Sequence, residues 1–231
     1  MKGFFVTGMD TGVGKTIISA ILVTLLKAKG LKTAGMKPFE TGCLKEGELL
    51  VPSDGMFLKD VASMEEPINY ITPVCLEKPL APMVAAELDG IEIDLAPVFK
   101  AYEDLKKRYE AIVVEGVGGL LVPIKRDYLV IDLIRDFNLP VIVVSRPTLG
   151  TINHTLLTIR ALHFEGLKIQ GIIFNYSRPP EGTLAEETNP AVIARLTDVP
   201  VIGTVPYLKS FDTETLINTA RKNLNLELLE I

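Results

Sequence analysis

The sequence has few of the residues that hold secreted or metal-stabilised proteins together. Its 231 residues include two cysteines, two histidines and no tryptophan. Cys43 and Cys75 form no C-x-x-C pair, and His154 and His163 lie too far along the chain to complete a structural zinc site with them. The sequence therefore indicates two free thiols in a reducing compartment.

Long apolar runs and an excess of basic charge are also lacking. The longest apolar-rich stretch, residues 17–26, contains Ser19 and Thr24 and is shorter than the roughly 20 residues of a membrane span. No cleavable leader pattern follows it. Lysine and arginine number 24 against 29 acidic residues, a net charge of −5, which argues against a broad nucleic-acid-binding face. We expect a cytoplasmic protein that binds neither membranes nor nucleic acid.

Short apolar runs alternate with segments of helical spacing. The runs at 111–114, 141–144, 169–174 and 201–205 lack polar alternation, which is typical of strands covered on both faces. Shorter runs at 3–7 and 33–37 also predict strands, and helical spacing covers 15–29, 94–109, 129–137, 152–163 and 189–197. This alternation predicts a single α/β domain over 1–231, with a mostly parallel central sheet of about six to seven strands and helices on both faces.

The segment 39–93 breaks this alternation. It is rich in proline and predicts loops with short helices. Long irregular insertions are usually functional or disordered, and the apolar content of this one favours an ordered layer on the substrate side. The acidic end, residues 223–231, is expected to be a packed tail.

A glycine-rich loop, residues 8–16, lies between the first predicted strand and the first predicted helix. Its glycines allow successive N–H groups to face a phosphate, and the helix start adds partial positive charge. The usual P-loop spacing would place a glycine where Met9 stands, but Gly14-Lys15-Thr16 and the strand–loop–helix context indicate a P-loop NTPase-like domain. The expected nucleotide contacts are Gly12, Val13, Gly14, Lys15, Thr16 and Ile17.

Several motifs, in order along the chain, resemble those of the dethiobiotin synthetases. They are V-T-G-M-D-T-G-V-G-K-T at 6–16, A-G-M-K-P-F-E-T-G-C at 34–43, Ser53-Asp54, V-E-G-V-G-G-L-L-V-P at 114–123, G-T-I-N-H at 150–154, Phe174-Asn175 and V-P-Y-L at 205–208. The resemblance implies ATP-dependent carboxylation and ring closure of 7,8-diaminopelargonate with CO₂, through a carbamate and a carbamic–phosphoric anhydride. The products are dethiobiotin, ADP and phosphate, and the step belongs to biotin biosynthesis.

The resemblance also implies catalytic roles for Lys37, Lys15 and Thr11. Lys37 ends an apolar strand, where ligands of open α/β sheets bind, and would meet the carbamate and the γ-phosphate. A lysine that only extends its charge to solvent is the alternative. Thr11 and Thr41 would hydrogen-bond the substrate, although Thr41 could instead cap a turn.

A Mg²⁺ ion would be held by Thr16, Asp54 and Glu115. Glu115 is the first polar residue after a buried strand, and Mg²⁺ prefers oxygen ligands. Asp54 has a helix-capping role as its alternative. The cofactors implied are ATP and Mg²⁺.

The remaining contacts follow the same resemblance. Asn175 would read the adenine edge beside Pro206, Tyr207 and Leu208, and the N–H groups of Gly116, Val117 and Gly118 would face substrate or phosphate. Gly150, Thr151, Ile152 and Asn153 open a helix whose N–H groups would bind the substrate carboxylate from the neighbouring subunit. The active site would then lie near the interface of a homodimer. Ordinary turns and helix caps are the alternatives at all of these positions.

The sequence departs from the family pattern at two positions, and proteins of other functions share its phosphate loop. Met9 and Gly12 replace residues that are often threonine and acidic in the family. A partition-type P-loop ATPase switch, or another P-loop small-molecule synthase, would share the phosphate loop. ATP turnover that depends on a diamine would separate the synthetase from a switch.

Overall fold

A parallel sheet forms the centre of the molecule, which a computed structural model describes over residues 2–231. The strands in these residues are β1 (Lys2–Gly8), β2 (Thr33–Met36), β3 (Phe39–Thr41), β4 (Leu44–Glu46), β5 (Leu49–Val51), β6 (Val74–Leu76), β7 (Ala111–Glu115), β8 (Pro123–Lys125), β9 (Tyr128–Leu129), β10 (Val141–Ser145), β11 (Ile169–Asn175) and β12 (Val201–Val205).

The helices follow the predicted alternation with the strands. They are α1 (Lys15–Ala28), α2 (Ser53–Ala62), α3 (Ile68–Ile71), α4 (Pro82–Asp89), α5 (Ala96–Arg108), α6 (Val130–Phe137), α7 (Thr151–Phe164), α8 (Leu184–Leu196) and α9 (Thr213–Asn223), with a 3₁₀ helix at Leu226–Leu229. No helix among the described residues is long and apolar enough to cross a bilayer.

Six strands pair in parallel in the order β12-β11-β10-β1-β7-β2. The predicted α/β architecture is therefore confirmed. Every residue of β7 and β10 is buried, which accounts for their uninterrupted apolar sequences. All six strands point the same way, so their carboxyl ends lie along one edge of the sheet. The glycine-rich loop leaves this edge from β1, between β10 and β7.

The first helix packs its apolar residues against the sheet. Ile18, Ile21, Leu22, Leu25 and Leu26, the residues at helical spacing, are all buried. The helix ends where Gly30 takes a left-handed conformation and its N–H donates to the carbonyl of Lys27.

Two predicted helix boundaries were wrong. The helix expected at 189–197 begins at Leu184, because Thr183 just before it and Glu186 in its first turn form a capping box. The helix expected at 94–109 begins at Ala96, whose N–H donates to the side chain of Asp94 at 2.9 Å. In both helices, local side-chain hydrogen bonds set the start, whereas apolar periodicity does not mark it.

The segment 39–93 contains more regular structure than predicted. β3 pairs in parallel with β6, β4 and β5 form a hairpin, and α2 to α4 lie among them. Phe39, Leu58, Ile71 and Leu76 join the main hydrophobic core, so the expected ordered layer is present. Its strands were missed because three residues are too few to show periodicity.

Two smaller expectations are confirmed. Cys43 and Cys75 are free thiols. The chain end packs against the sheet, because Leu229 is buried and Gln170 donates to the carbonyl of Leu228 at 2.8 Å.

Candidate active site

The phosphate loop is held against the end of β11. The φ angle of Gly14 is +88°, and a Cβ on this residue would lie 2.1 Å from Nδ2 of Asn175. That amide donates to the carbonyl of Val13 at 2.8 Å. Glycine is therefore required at position 14 for both its conformation and its close approach.

The ammonium of Lys15 is enclosed by the phosphate loop. The residue is buried, and Nζ donates to the carbonyl of Asp10 at 3.3 Å. Burial lowers the pKa of Lys15 to about 8, although the nearby charge of Glu115 acts to raise it. The loop thus surrounds a cation that is costly to desolvate and is suited to a phosphate.

A cluster of two carboxylates, a hydroxyl and an ammonium lies next to the loop. Thr16 Oγ1 donates to Glu115 Oε1 at 2.9 Å, and Lys37 Nζ donates to Asp54 Oδ2 at 2.7 Å and also pairs with Glu115. Burial alone would lower the pKa of Lys37, but the charges of Glu115 and Asp54 together raise it. The structure thus brings together residues that lie far apart in the sequence.

One atom of this cluster lacks a partner. Within residues 2–231, Glu115 Oε2 is buried and makes no hydrogen bond, a costly state for a carboxylate oxygen. With Thr16 and Asp54 beside it, it completes a set of oxygen donors of the kind that Mg²⁺ prefers. The residues present therefore fit this ion.

A cavity of about 380 Å³ opens beside the cluster. Most of the predicted nucleotide contacts line it: Gly14, Thr16, Ile17, Asp54, Asn175, Pro206, Tyr207 and Leu208. The sequence analysis missed Ser53, Phe57, Tyr176, Ser177 and Phe211, which line it too. The rings of Phe57 and Phe211 meet edge to face, 6.3 Å apart. Helical spacing could have identified Phe57, which lies one turn after Asp54.

A second cavity, of about 430 Å³, lies on the other side of the loop. Met9, Asp10, Thr11 and residues 119–123 line it, with His154, Leu157, Thr158 and Ala161 of α7 opposite. A Cβ on Gly118 would lie 3.6 Å from Thr11 Oγ1, so Thr11 lies close to the glycine-rich segment after β7. Thr41 is placed at the end of β3, where it is half-buried.

Two predicted backbone donors are already engaged. The N–H of Gly116 donates to the carbonyl of Val6 at 2.9 Å, continuing the sheet. The N–H of Thr151 donates to the carbonyl of Thr148 at 3.2 Å. In this structure strand pairing and a turn use these two N–H groups, which were expected to face a ligand.

The departure at Met9 has a packing explanation. The Thr151 and Thr155 hydroxyls approach its sulfur at 3.2 and 3.4 Å, so the thioether fills the space between the loop and the start of α7. Arg146, which the sequence analysis did not single out, pairs with Asp10 at 3.0 Å. No motif marks Arg146, and only the fold brings it to the loop.

Comparisons with known proteins decide between the possible families. The AAA domain family model matches residues 2–215. The ATP-dependent dethiobiotin synthetase BioD of Thermodesulfovibrio yellowstonii is 50% identical, with 98% of each chain covered. The protein of the same name from Bacillus subtilis is 41% identical, with 99% of this chain and 97% of its own covered. The chain belongs to the ATP-dependent dethiobiotin synthetases. It is therefore an ATP-dependent ligase of biotin biosynthesis, and the family resemblance drawn from the motifs is confirmed.

Solved structures agree on the fold alone. The septum site-determining protein MinD of Pyrococcus horikoshii, solved with Mg-ADP, is 17% identical, with a TM-score of 0.56 over 96% of this chain and 95% of its own. A ParA family ATPase of Chlorobium tepidum is 12% identical, with a TM-score of 0.57 over 95% and 98%. These likenesses confirm the P-loop NTPase fold. At such low identity they do not support the partition-type alternative, and the dethiobiotin synthetase relatives argue against it.

Proposed function

We propose that the cluster around Lys37 closes a cyclic urea on 7,8-diaminopelargonate with CO₂ and ATP. One amine nitrogen bonds to CO₂ and loses a proton, giving a carbamate. A carbamate oxygen takes the γ-phosphoryl group and ADP leaves. The second amine then attacks the carbonyl carbon and expels phosphate, giving dethiobiotin. The observation that carries the proposal is the position of Lys37, Thr16, Asp54 and Glu115 at the sheet edge beside the phosphate loop.

In this proposal the nucleotide lies in the cavity lined by Asn175. The N–H groups of residues 12–17 and the ammonium of Lys15 bind the phosphates. One N–H of the Asn175 side-chain amide already donates to the carbonyl of Val13. The amide oxygen and the second N–H therefore remain for the adenine edge. Pro206, Tyr207 and Leu208 would cover the base. Thr16, Asp54 and Glu115 would hold Mg²⁺, which neutralises phosphate charge when bound.

The substrate would lie on the side of the loop where Thr11 meets Gly118. The ammonium of Lys37 would stabilise the negative carbamate oxygens, and this kind of electrostatic stabilisation is usually the largest catalytic term. Thr11, Thr41 and the N–H groups of Val117 and Gly118 would orient the two amines.

We also propose a homodimer whose interface lies near this site. Leu149 precedes α7 and Phe164 ends it, each 88% exposed, and Leu157 within α7 and Leu121 are exposed as well. Large apolar side chains of this kind are candidates for a subunit contact. Gly150 and Asn153 are exposed at the start of the same helix. Together with Ile152, they would bind the carboxylate of the substrate in the active site of the neighbouring subunit.

The proposal treats residues 2–231 as one domain, because one main core joins Phe4 in β1 to Leu229 near the chain end. It also places the protein in the cytoplasm, where ATP is available.

The test is phosphate release from Mg-ATP and bicarbonate, with and without 7,8-diaminopelargonate. We expect release to depend on the diamine and mass spectrometry to detect the cyclic urea in equal amount. ATP hydrolysis that ignores the diamine, with no urea formed, would contradict the proposed reaction.

A further inference from the structure

We propose that Glu40 is a positioning residue, which holds Ser53 and Asp54 in the active site by capping α2 from a different segment of the chain. The inference rests on the proposed function, because it takes Asp54 as a contact of the Mg²⁺ ion. Within residues 2–231, Glu40 makes no hydrogen bond to the other two predicted metal ligands, Thr16 and Glu115, or to the phosphate loop.

Helix α2 lacks a cap of its own. Pro52 stands at the N-cap position and has no side-chain acceptor for the first N–H groups. The two carboxylate oxygens of Glu40 accept hydrogen bonds from these N–H groups instead. Its Oε1 accepts the N–H of Asp54 at 2.9 Å and the hydroxyl of Ser53 at 3.3 Å, and its Oε2 accepts the N–H of Gly55 at 2.9 Å. A carboxylate at this point also complements the helix dipole.

The cap joins two segments that carry site residues. Glu40 is 4% exposed and lies between Lys37 and Thr41 in sequence. Asp54, whose N–H it accepts, bonds Lys37 through its side chain at 2.7 Å. Lys37 and Glu40 are three residues apart in the chain, and both bond Asp54, one at its side chain and the other at its backbone N–H. Movement of the first turn of α2 would therefore move a metal-ligand candidate relative to the catalytic lysine.

The position of α2 leaves little room for adjustment. A Cβ on Gly55 would lie 2.0 Å from Thr72 Oγ1 and 3.6 Å from Glu40 Oε2. Ser53 and Asp54 both line the nucleotide cavity. A glutamine at position 40 would keep one accepting oxygen, but its NH₂ group cannot accept the N–H of Gly55. The substitution would remove the negative charge and one hydrogen-bond acceptor, while the side chain would keep almost the same shape.

The test compares the Glu40→Gln variant with a matched control, Glu186→Gln. Glu186 is 5% exposed, and its carboxylate accepts the N–H groups of residues 181–183, just before α8. Its replacement by glutamine therefore removes a buried charge and an acceptor, as in Glu40→Gln. Hydrogen exchange of the ligand-free protein reports the cap directly. We expect faster exchange at Asp54 and Gly55 in Glu40→Gln and no change there in Glu186→Gln.

Metal affinity reports the consequence for the site. We expect Mn²⁺ binding in the presence of ADP, followed by electron paramagnetic resonance, to weaken roughly tenfold in Glu40→Gln. Glu186→Gln should bind Mn²⁺ as the unaltered protein does. If Glu40→Gln does not fold, Glu40→Asp retains the charge at shorter reach, and we expect a smaller loss of affinity in the same direction.

A third variant, Asp54→Asn, separates two kinds of failure. Weaker Mn²⁺ binding in Asp54→Asn but unaltered binding in Glu40→Gln would overturn the inference about Glu40 alone. Unaltered binding in both variants would overturn the proposed metal role of Asp54, and the positioning role of Glu40 with it.

Discussion

At the residue scale, Lys37 is the residue on which the proposed reaction depends most. It directly follows β2 and places a buried ammonium between Asp54 and Glu115. A lysine that served only to extend its charge to solvent would not be enclosed by two carboxylates in this way. The surroundings of Lys37 thus favour a function in the site over the surface alternative.

The Lys37→Ala variant should lose most of its activity while it keeps its fold. We expect kcat for dethiobiotin formation to fall by roughly a hundredfold or more, because preorganised charge stabilisation is lost. Circular dichroism checks the fold. Lys106→Ala is the control, since Lys106 lies outside the site, where it pairs with Glu103 and lies over the Tyr102 ring. Wild-type turnover in Lys37→Ala would remove the carbamate-site assignment.

The pKa of Lys15 gives nucleotide binding a pH dependence. Burial lowers that pKa to about 8, so Lys15 of the free protein is fully charged only well below pH 8 and loses its charge as pH rises through that value. We expect calorimetric titrations with ADP to show weaker binding above about pH 8, with uptake of a proton on binding. In Lys15→Ala, binding should be weak and this dependence absent. Equal affinity of the unaltered protein on both sides of pH 8 would contradict the assignment.

At the element scale, the site depends on the contact between the phosphate loop and the end of β11. Asn175 reaches the loop carbonyl of Val13, and Gly14 leaves room for the amide that does so. The loop conformation and the position of Asn175, the residue proposed to read the base, are therefore coupled. A change at Gly14 should affect both.

The variants Gly14→Ala and Gly30→Ala separate conformational strain from this contact. Both glycines have positive φ, but a Cβ at position 30 would meet nothing within 4 Å. We expect Gly30→Ala to lower the free energy of unfolding by about 1–2 kcal/mol and to leave ADP affinity unchanged. Gly14→Ala should lower the free energy of unfolding further and weaken ADP binding, measured by denaturant titration and calorimetry. Similar ADP affinity in the two variants would contradict the coupling.

At the scale of the whole molecule, the exposed leucines around α7 give the dimer proposal a direct test. Leu157 is exposed and lines the cavity beside the phosphate loop. We expect light scattering to show a dimer, and Leu157→Asp to shift it toward monomer with a higher KM for diaminopelargonate. Leu49, equally apolar and exposed on the β4–β5 hairpin, provides the control Leu49→Asp, which should remain dimeric. A fully active monomer would rule out the shared carboxylate site.

The sequence by itself determined the alternation of strands and helices and the position of the phosphate loop. Both are local patterns. The apolar runs of β7 and β10 follow from burial on both faces, and Gly14-Lys15-Thr16 lies where a strand gives way to a helix. The order of motifs along the chain was also enough to identify the family.

Only the tertiary structure decided which groups remain free to act. Thr151 was expected to offer its N–H to a ligand, but a turn uses that N–H and its side chain packs on Met9. The contact of Glu40 with α2 and the contact of Phe57 with Phe211 are not marked by any pattern in the sequence. These contacts join segments far apart in sequence, and local periodicity carries no information about which distant backbone group or ring a side chain will meet. The folded core sets those distances, and the chemistry of the site depends on them.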